Sequence, residues 1–185
     1  MMGYNRKPGR MIVLLMSVIA ITSCKKYSDT PGVRTDPRFN QLYCNVPEAV
    51  NYNWNFPGTP DVSDAVCFYP SDVFKGNYLY TDSIYNASSV FLRDEVKNLS
   101  IVASNHTQLT VNGFCSSASL PFTANRNLHA DADSTGVNGQ LLCRNLDTLS
   151  GYMFASREDS THIQFSFRVG SDTGVFFHRG TAVKQ

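Results

Sequence analysis

His129, Asp131 and Asp133 alternate within Leu128–Ser134. In an extended backbone all three project to one side, where an imidazole and two carboxylates could hold a hard cation or order a water. The same stretch is rich in turn formers, and a solvated loop also accounts for it. A second group is aromatic. Tyr52, Trp54 and Phe56 would share one face of an extended segment, either stacking on a sugar ring or packing a small module onto its neighbour. His106, His162 and His178 have no partner close in sequence and read as polar-face strand residues. Acidic pairs such as Asp94 and Glu95 occur, but any acidic set supplies them. No Gly-x-Ser-x-Gly elbow, His-Glu-x-x-His pair, phosphate loop or dinucleotide fingerprint is present. The expectation is a protein that is not an enzyme and needs no cofactor, with a hydrolase as the least favoured alternative.

A length of 185 residues favours one main domain with room for an appendage. The composition is 42% hydrophobic, 12% aromatic and 17% charged, which is globular rather than disordered. Basic and acidic residues nearly balance, at 16 against 15. Three of the basic ones, Arg6, Lys7 and Arg10, precede Cys24. Without them 13 basic side chains face 15 acidic ones, a formal charge of −2. That balance excludes a basic nucleic-acid binder, because neutralising phosphates needs an excess of lysine and arginine.

Met1–Arg10 is polar and basic, and Met11–Ile21 is an unbroken run of apolar or small residues. As a helix this run rises about 16 Å, against about 30 Å of hydrocarbon, so it is too short to span a bilayer. A basic start and a short apolar core read as a secretory signal peptide over 1–23. Ile21-Thr22-Ser23-Cys24 resembles the lipobox of bacterial lipoproteins. The resemblance implies cleavage before Cys24 and acylation of its thiol, with diacylglycerol and palmitate-type chains as the membrane anchor. Each buried methylene adds about 0.8 kcal/mol, so two or three chains hold a protein on a bilayer permanently. Lys25 and Lys26, rather than aspartate, follow the cysteine. By resemblance to Gram-negative sorting rules this implies the outer membrane, facing either the periplasm or the cell surface. Residues 24–42, with Pro31, Gly32 and Pro37, read as a tether.

With Cys24 assigned to lipid, Cys44, Cys67, Cys115 and Cys143 remain in an oxidising compartment and suggest two disulfides. Three pairings exist; the local one, Cys44–Cys67 with Cys115–Cys143, is favoured. Each bridge would contribute about 3.5 kcal/mol on loop-entropy grounds. No close Cys-x-x-Cys or His pair supports a zinc site. Residues 43–72 form the first module. Cys44, Ala49, Asn51, Tyr52, Asn53, Asp61, Cys67 and Tyr69 resemble a cysteine-bracketed repeat of secreted and surface proteins of Bacteroidota. Asn45-Val46, the longer loop Trp54–Pro60 and Asp64-Ala65-Val66 depart from its usual form.

Residues 73–185 read as antiparallel β-structure. In His162–Val169 the apolar Ile163, Phe165, Phe167 and Val169 alternate with polar residues. Further strands are expected at Asn77–Tyr85, Ser89–Leu92, Leu99–Ala103, Leu120–Thr123, Tyr152–Ser156, Val175–His178 and Ala182–Lys184, with one helical turn at Asp94–Asn98. Asn112-Gly113 favours a tight two-residue hairpin, and Asn125–Gly139 reads as a long polar loop. The fold class is therefore all-β: a meander forming a small barrel or sandwich behind a disulfide-bracketed module. Phe74-Lys75-Gly76-Asn77-Tyr78 resembles the opening of lipocalin-like barrels, which implies a carrier of a small apolar ligand. The competing expectation is a carbohydrate-binding or adhesive surface module. The two differ in whether Tyr80, Phe165 and Phe167 line a void or fill the interior.

Overall fold

Alternating burial runs along almost every strand, and it closes the sheet. The structure, a computed structural model, describes residues 36–114, 119–133, 140–142 and 147–185. Contacts divide the chain into Met1–Asp36 and Pro37–Gln185; the segment expected to be a signal peptide, Cys24 and most of the expected tether lie outside the described residues. A short 3₁₀ turn (Pro37–Asn40) leads into β1 (Leu42–Cys44) and β2 (Thr59–Asp61), which pair in parallel. Helix α1 (Pro70–Phe74) precedes β3 (Gly76–Asn86), β4 (Phe91–Ala103), β5 (Gln108–Asn112) and β6 (Ser119–Ala124). After these come β7 (His129–Ala132), β8 (Gln140–Leu141), β9 (Thr148–Ala155), β10 (His162–Ser171) and β11 (Gly174–Lys184).

Strands β3 to β7 pair in sequence, β7 pairs with β9, β9 with β10, β10 with β11, and β11 returns to β3. Every pairing is antiparallel, so eight strands form a closed barrel, and β8 adds only to the start of β9. Closure leaves no long free edge to template aggregation. Of the two expected architectures, the barrel is the one that forms.

Three expectations change. Residues 91–103 are one strand, and the helical turn expected at Asp94–Asn98 is its middle. Its alternation was concealed because the residues turned inward there, Glu95 and Lys97, are charged, while Val96 faces solvent. Part of the presumed polar loop Asn125–Gly139 is strand β7, whose Ala130 is fully buried. Asn112-Gly113 is not a two-residue turn either. Asn112 pairs with Ser119, so the connection spans 113–118. At Gly113 φ is +105° and a Cβ would run into the Asn98 carbonyl, so glycine serves close strand packing there.

The strand directions gather turns 104–107, 125–128 and 156–161, together with α1, at one end of the barrel. That end is closed. Phe74 and Val73 of α1 join the core, and the Tyr78 hydroxyl donates to the Phe74 carbonyl at 2.9 Å. Inside lie fully buried Leu99, Leu109, Leu120, Phe122, Met153 and Ile163. Tyr80 and Phe165 are also buried and fill the interior, whereas Phe167, equally buried, borders a cavity toward the other end.

The bracketed module docks at the closed end. Cys44 and Cys67 form the expected disulfide, with Cα atoms 4.9 Å apart. Asn51 clamps the second arm: its Nδ2 donates to the Val66 carbonyl at 2.7 Å and its Oδ1 accepts from the Phe68 N–H at 2.8 Å. Tyr69 stacks on His106 with centroids 3.6 Å apart, the Ser71 N–H donates to the His106 carbonyl, and Val50 packs on the barrel core. Cys115 and Cys143, the other expected bridge, lie outside the described residues.

Candidate functional site

One carboxylate sits wholly inside this barrel. Asp82 of β3 has no solvent exposure, and a buried charge survives only when paired and hydrogen-bonded. Its Oδ1 accepts from the Tyr80 hydroxyl at 3.0 Å. Its Oδ2 meets Lys97 Nζ at 3.0 Å and His178 Nδ1 at 2.8 Å. Lys97 also reaches Glu95 at 2.8 Å, and Glu95 in turn binds the Arg93 guanidinium at 2.8 Å. Three groups from β3, β4 and β11 thus bind the buried oxygen pair directly, and Glu95 and Arg93 extend the network outward from Lys97.

Register explains the convergence. Asp82 stands opposite Glu95 on one side and Gly180 on the other. Lys97 and His178 are therefore its diagonal neighbours on the same inward face. Gly180 makes room: a Cβ there would meet the Thr81 carbonyl and the Tyr80 ring, so the missing side chain lets that ring lie across and bring its hydroxyl to Asp82.

The electrostatics follow. Burial works to raise the Asp82 carboxyl, but hydrogen bonds and electrostatics from His178 and Lys97 outweigh it and hold the group below its ordinary range. Burial likewise works to lower Lys97, yet its bonds to Glu95 and Asp82 raise it overall. Glu95 is lowered by hydrogen bonds from Lys97 and Arg93. Burial, reinforced by the Asp82 charge, pushes the Tyr80 phenol far up, so it remains a donor.

Above this cluster, at the mouth of the barrel, lies a cavity of about 210 Å³. Glu95, Lys97 and His178 form its polar side, and Phe114, Leu142, Leu149, Phe167 and Val169 its apolar side. Edge-to-face contacts of Phe114 with Phe165, Phe167 and Tyr80 floor it. A larger depression of about 710 Å³ lies on the outer wall, among Thr81, Ser83, Tyr152, Ser166, Arg179 and Thr181. It is the more open of the two and lacks converging titratable groups, so the smaller mouth cavity is the candidate site.

The residues singled out from sequence are placed elsewhere. Tyr52, Trp54 and Phe56 do not share a face, because the segment is turned rather than extended, with the Phe56 N–H donating to the Asn53 carbonyl. Tyr52 lies under Arg126, Phe56 packs on Tyr43, and Trp54 is 72% exposed without the other two. His129 and Asp131 do project together from β7 and approach to 3.4 Å, and His129 stacks on Tyr152. Asp133 instead accepts from Thr123 at 2.6 Å. Among the described residues no group of three His, Cys, Asp or Glu side chains is placed to hold a metal ion. His162 pairs with Asp159 at 2.7 Å on the surface.

His178 is the correction that matters: it faces inward, partnered by a residue 96 positions away. No local pattern carries that pairing. The legible signal was Arg93-x-Glu95-x-Lys97, charges repeating at strand period in a segment flanked by strand-forming residues.

No protein-family model matches the chain, and no curated protein matches it. Among solved structures, a redesigned β-barrel is similar at 12% identity and a TM-score of 0.40, over 63% of this chain and 95% of that one. A protein of unknown function from Bacteroides ovatus is similar at 15% identity and a TM-score of 0.38, over 60% of this chain. This chain spans 42% of that protein's length.

Proposed function

We propose that this is a lipid-anchored envelope protein whose barrel binds a small amphipathic molecule at its mouth, without catalysing a reaction. The observation that carries the binding reading is Asp82, wholly buried yet ionised, holding Lys97 and His178 against a cavity whose other side is apolar. Buried ion networks rarely add stability over apolar packing, so one that borders a cavity is better explained by recognition. A ligand's polar end would meet Glu95, Lys97 and His178, and its hydrocarbon part Phe114, Leu149, Phe167 and Val169. With the barrel interior filled, the geometry favours a molecule of modest size over the bulky apolar cargo of a wide calyx.

The test is a thermal-shift panel of small amphiphiles on the wild-type protein and on Val169→Trp, which plugs the cavity. A binder present at 100 times its Kd adds about 2.7 kcal/mol to the wild type and nothing to the plugged variant. A panel that stabilises neither protein, or both equally, would remove the reading. Anchoring rests on the lipobox resemblance at Ile21-Thr22-Ser23-Cys24. Among the described residues no helix is long and apolar enough to cross a membrane. Mass spectrometry of the mature protein should find acyl chains on Cys24, and Cys24→Ala should leave the membrane fraction; a variant still bound there would refute the anchor and the outer-membrane location with it.

A further inference from the structure

The polar side of the mouth cavity is specific about what it lacks. Asp82 is ionised and can only accept, so the proton between it and His178 sits on Nδ1. Orienting the ring by Nδ1 leaves Nε2 as the other hydrogen-bonding atom of a side chain that lines the cavity. Among the described residues Nε2 has no partner. The charges around it already balance: the carboxylates of Asp82 and Glu95 face the ammonium of Lys97 and the guanidinium of Arg93. Two of the three protons on Lys97 are committed, one to Asp82 and one to Glu95. The cavity therefore offers mainly acceptors, Nε2 of His178 and the carboxylate of Glu95, beside a wall of Phe114, Phe167, Leu149 and Val169.

We infer that the ligand is a small hydroxyl-bearing aromatic or aliphatic molecule, its hydroxyl donating to Nε2 of His178 and its hydrocarbon part lying on the apolar wall. This deepens the binding reading above and rests on it. A cavity of about 210 Å³ suits a single substituted ring. A carboxylate ligand would be repelled by Glu95 and, among the described residues lining the cavity, would meet only Lys97, two of whose protons are already committed to Asp82 and Glu95, and an ether of the same shape would leave Nε2 unpaired. A site built around a hydroxyl discriminates strongly against the analogue lacking it, because its own polar atom is then buried without a partner.

Three probes separate these cases: 4-ethylphenol, its methyl ether 4-ethylanisole, and 4-ethylbenzoate. Each is titrated into the full folded chain while imidazole ¹⁵N spectra report the tautomer and charge of His178. The expected result is an imidazole protonated on Nδ1 alone, an Nε2 resonance that moves with 4-ethylphenol, and at least tenfold weaker binding of the ether and the benzoate. In His178→Phe, with a wild-type-like amide spectrum, the discrimination against the ether should vanish, while the benzoate, still facing Glu95, should remain the weaker ligand. If the ether binds as well as the phenol, the hydroxyl is not read; if the benzoate binds best, the site takes anions; if the ring is doubly protonated, no acceptor exists. Each outcome overturns the inference, as does the absence of any response to all three probes. The wild-type spectra keep the test decisive if His178→Phe does not fold. Failure here alongside a stabilising amphiphile in the thermal-shift panel sinks the hydroxyl assignment alone, whereas silence in both sinks the binding reading too.

Discussion

Asp82 makes the most exacting demand of any residue in the barrel. It is ionised in the interior only because Tyr80, Lys97 and His178 bind both its oxygens. Asp82→Asn keeps the volume but leaves Lys97 and His178 without their common anion, and should cost about 3 kcal/mol in urea unfolding. The pH dependence has a definite sign. Asp82 and Glu95 have folded values below their ordinary ones, so their contribution is present above the usual carboxylate range and disappears as pH falls through the folded values. Lys97 is raised from 10.5, so its contribution is complete below that value and is lost as pH climbs through the folded one. Tyr80, raised from 10.0, acts in the same alkaline direction. The stability difference between wild type and Asp82→Asn should therefore shrink as pH falls through the folded carboxylate values and as it climbs past the ordinary lysine and tyrosine ranges. A difference independent of pH would mean that the network contributes packing and not charge.

Strand pairs carry the site, and their glycines and bridges set its tolerance. Gly180 stands opposite Asp82, where a methyl group would strike the Thr81 carbonyl and displace the Tyr80 ring. Gly180→Ala should destabilise by about 2–3 kcal/mol, as overpacked sites do, and should broaden the resonances of His178. Gly170 is the control on the neighbouring strand. A Cβ there meets only the Thr148 hydroxyl, at 3.1 Å, so Gly170→Ala should fold and melt within about 1 kcal/mol of wild type. Equal effects would show that the barrel is insensitive to the approach of β11 to β3. In the module the disulfide spans 23 positions, and Cys44→Ala/Cys67→Ala should lower stability by about 3 kcal/mol. The interface on Tyr69 and His106 should loosen with it, read as faster amide exchange of Ser71 and His106 while Leu109 and Val111 at the core remain protected.

At the scale of the whole molecule the barrel is asymmetric from end to end. Its closed end is apolar, sealed by Phe74 and the docked module, and its mouth end is lined by charge and aromatic rings. A barrel interior packs well only where side chains fill it, and the slowest-exchanging amides should be those of Leu109, Met153 and Ile163 at the filled end. The mouth strands should open at lower free energy, and that is where the proposed ligand would enter. Hydrogen exchange with and without 4-ethylphenol should find added protection around Lys97, Phe167 and His178 and little elsewhere. Protection spread evenly over the barrel would point to general stabilisation rather than a site at the mouth.

Much of this architecture was written locally. Ile163, Phe165, Phe167 and Val169 announce a half-buried strand because side chains alternate across a sheet with period two. Cys44 and Cys67 fall close enough in sequence for a local bridge to be the simplest pairing. Strand β7 and the middle of β4 were not legible, since the sequence period marks a face but not which face turns inward, and the inward residues of β4 are charged. The site lay further out of reach. His178 and Asp82 are 96 positions apart, and neither looks unusual on its own strand. Sequence alone determined that the chain is β-structured, bracketed and apolar in alternate positions, because those properties depend on neighbours within a few residues. Only closure of the barrel, bringing β11 back against β3, decided which polar residues were locked inside, because a buried charge is defined by partners that the chain reaches by folding.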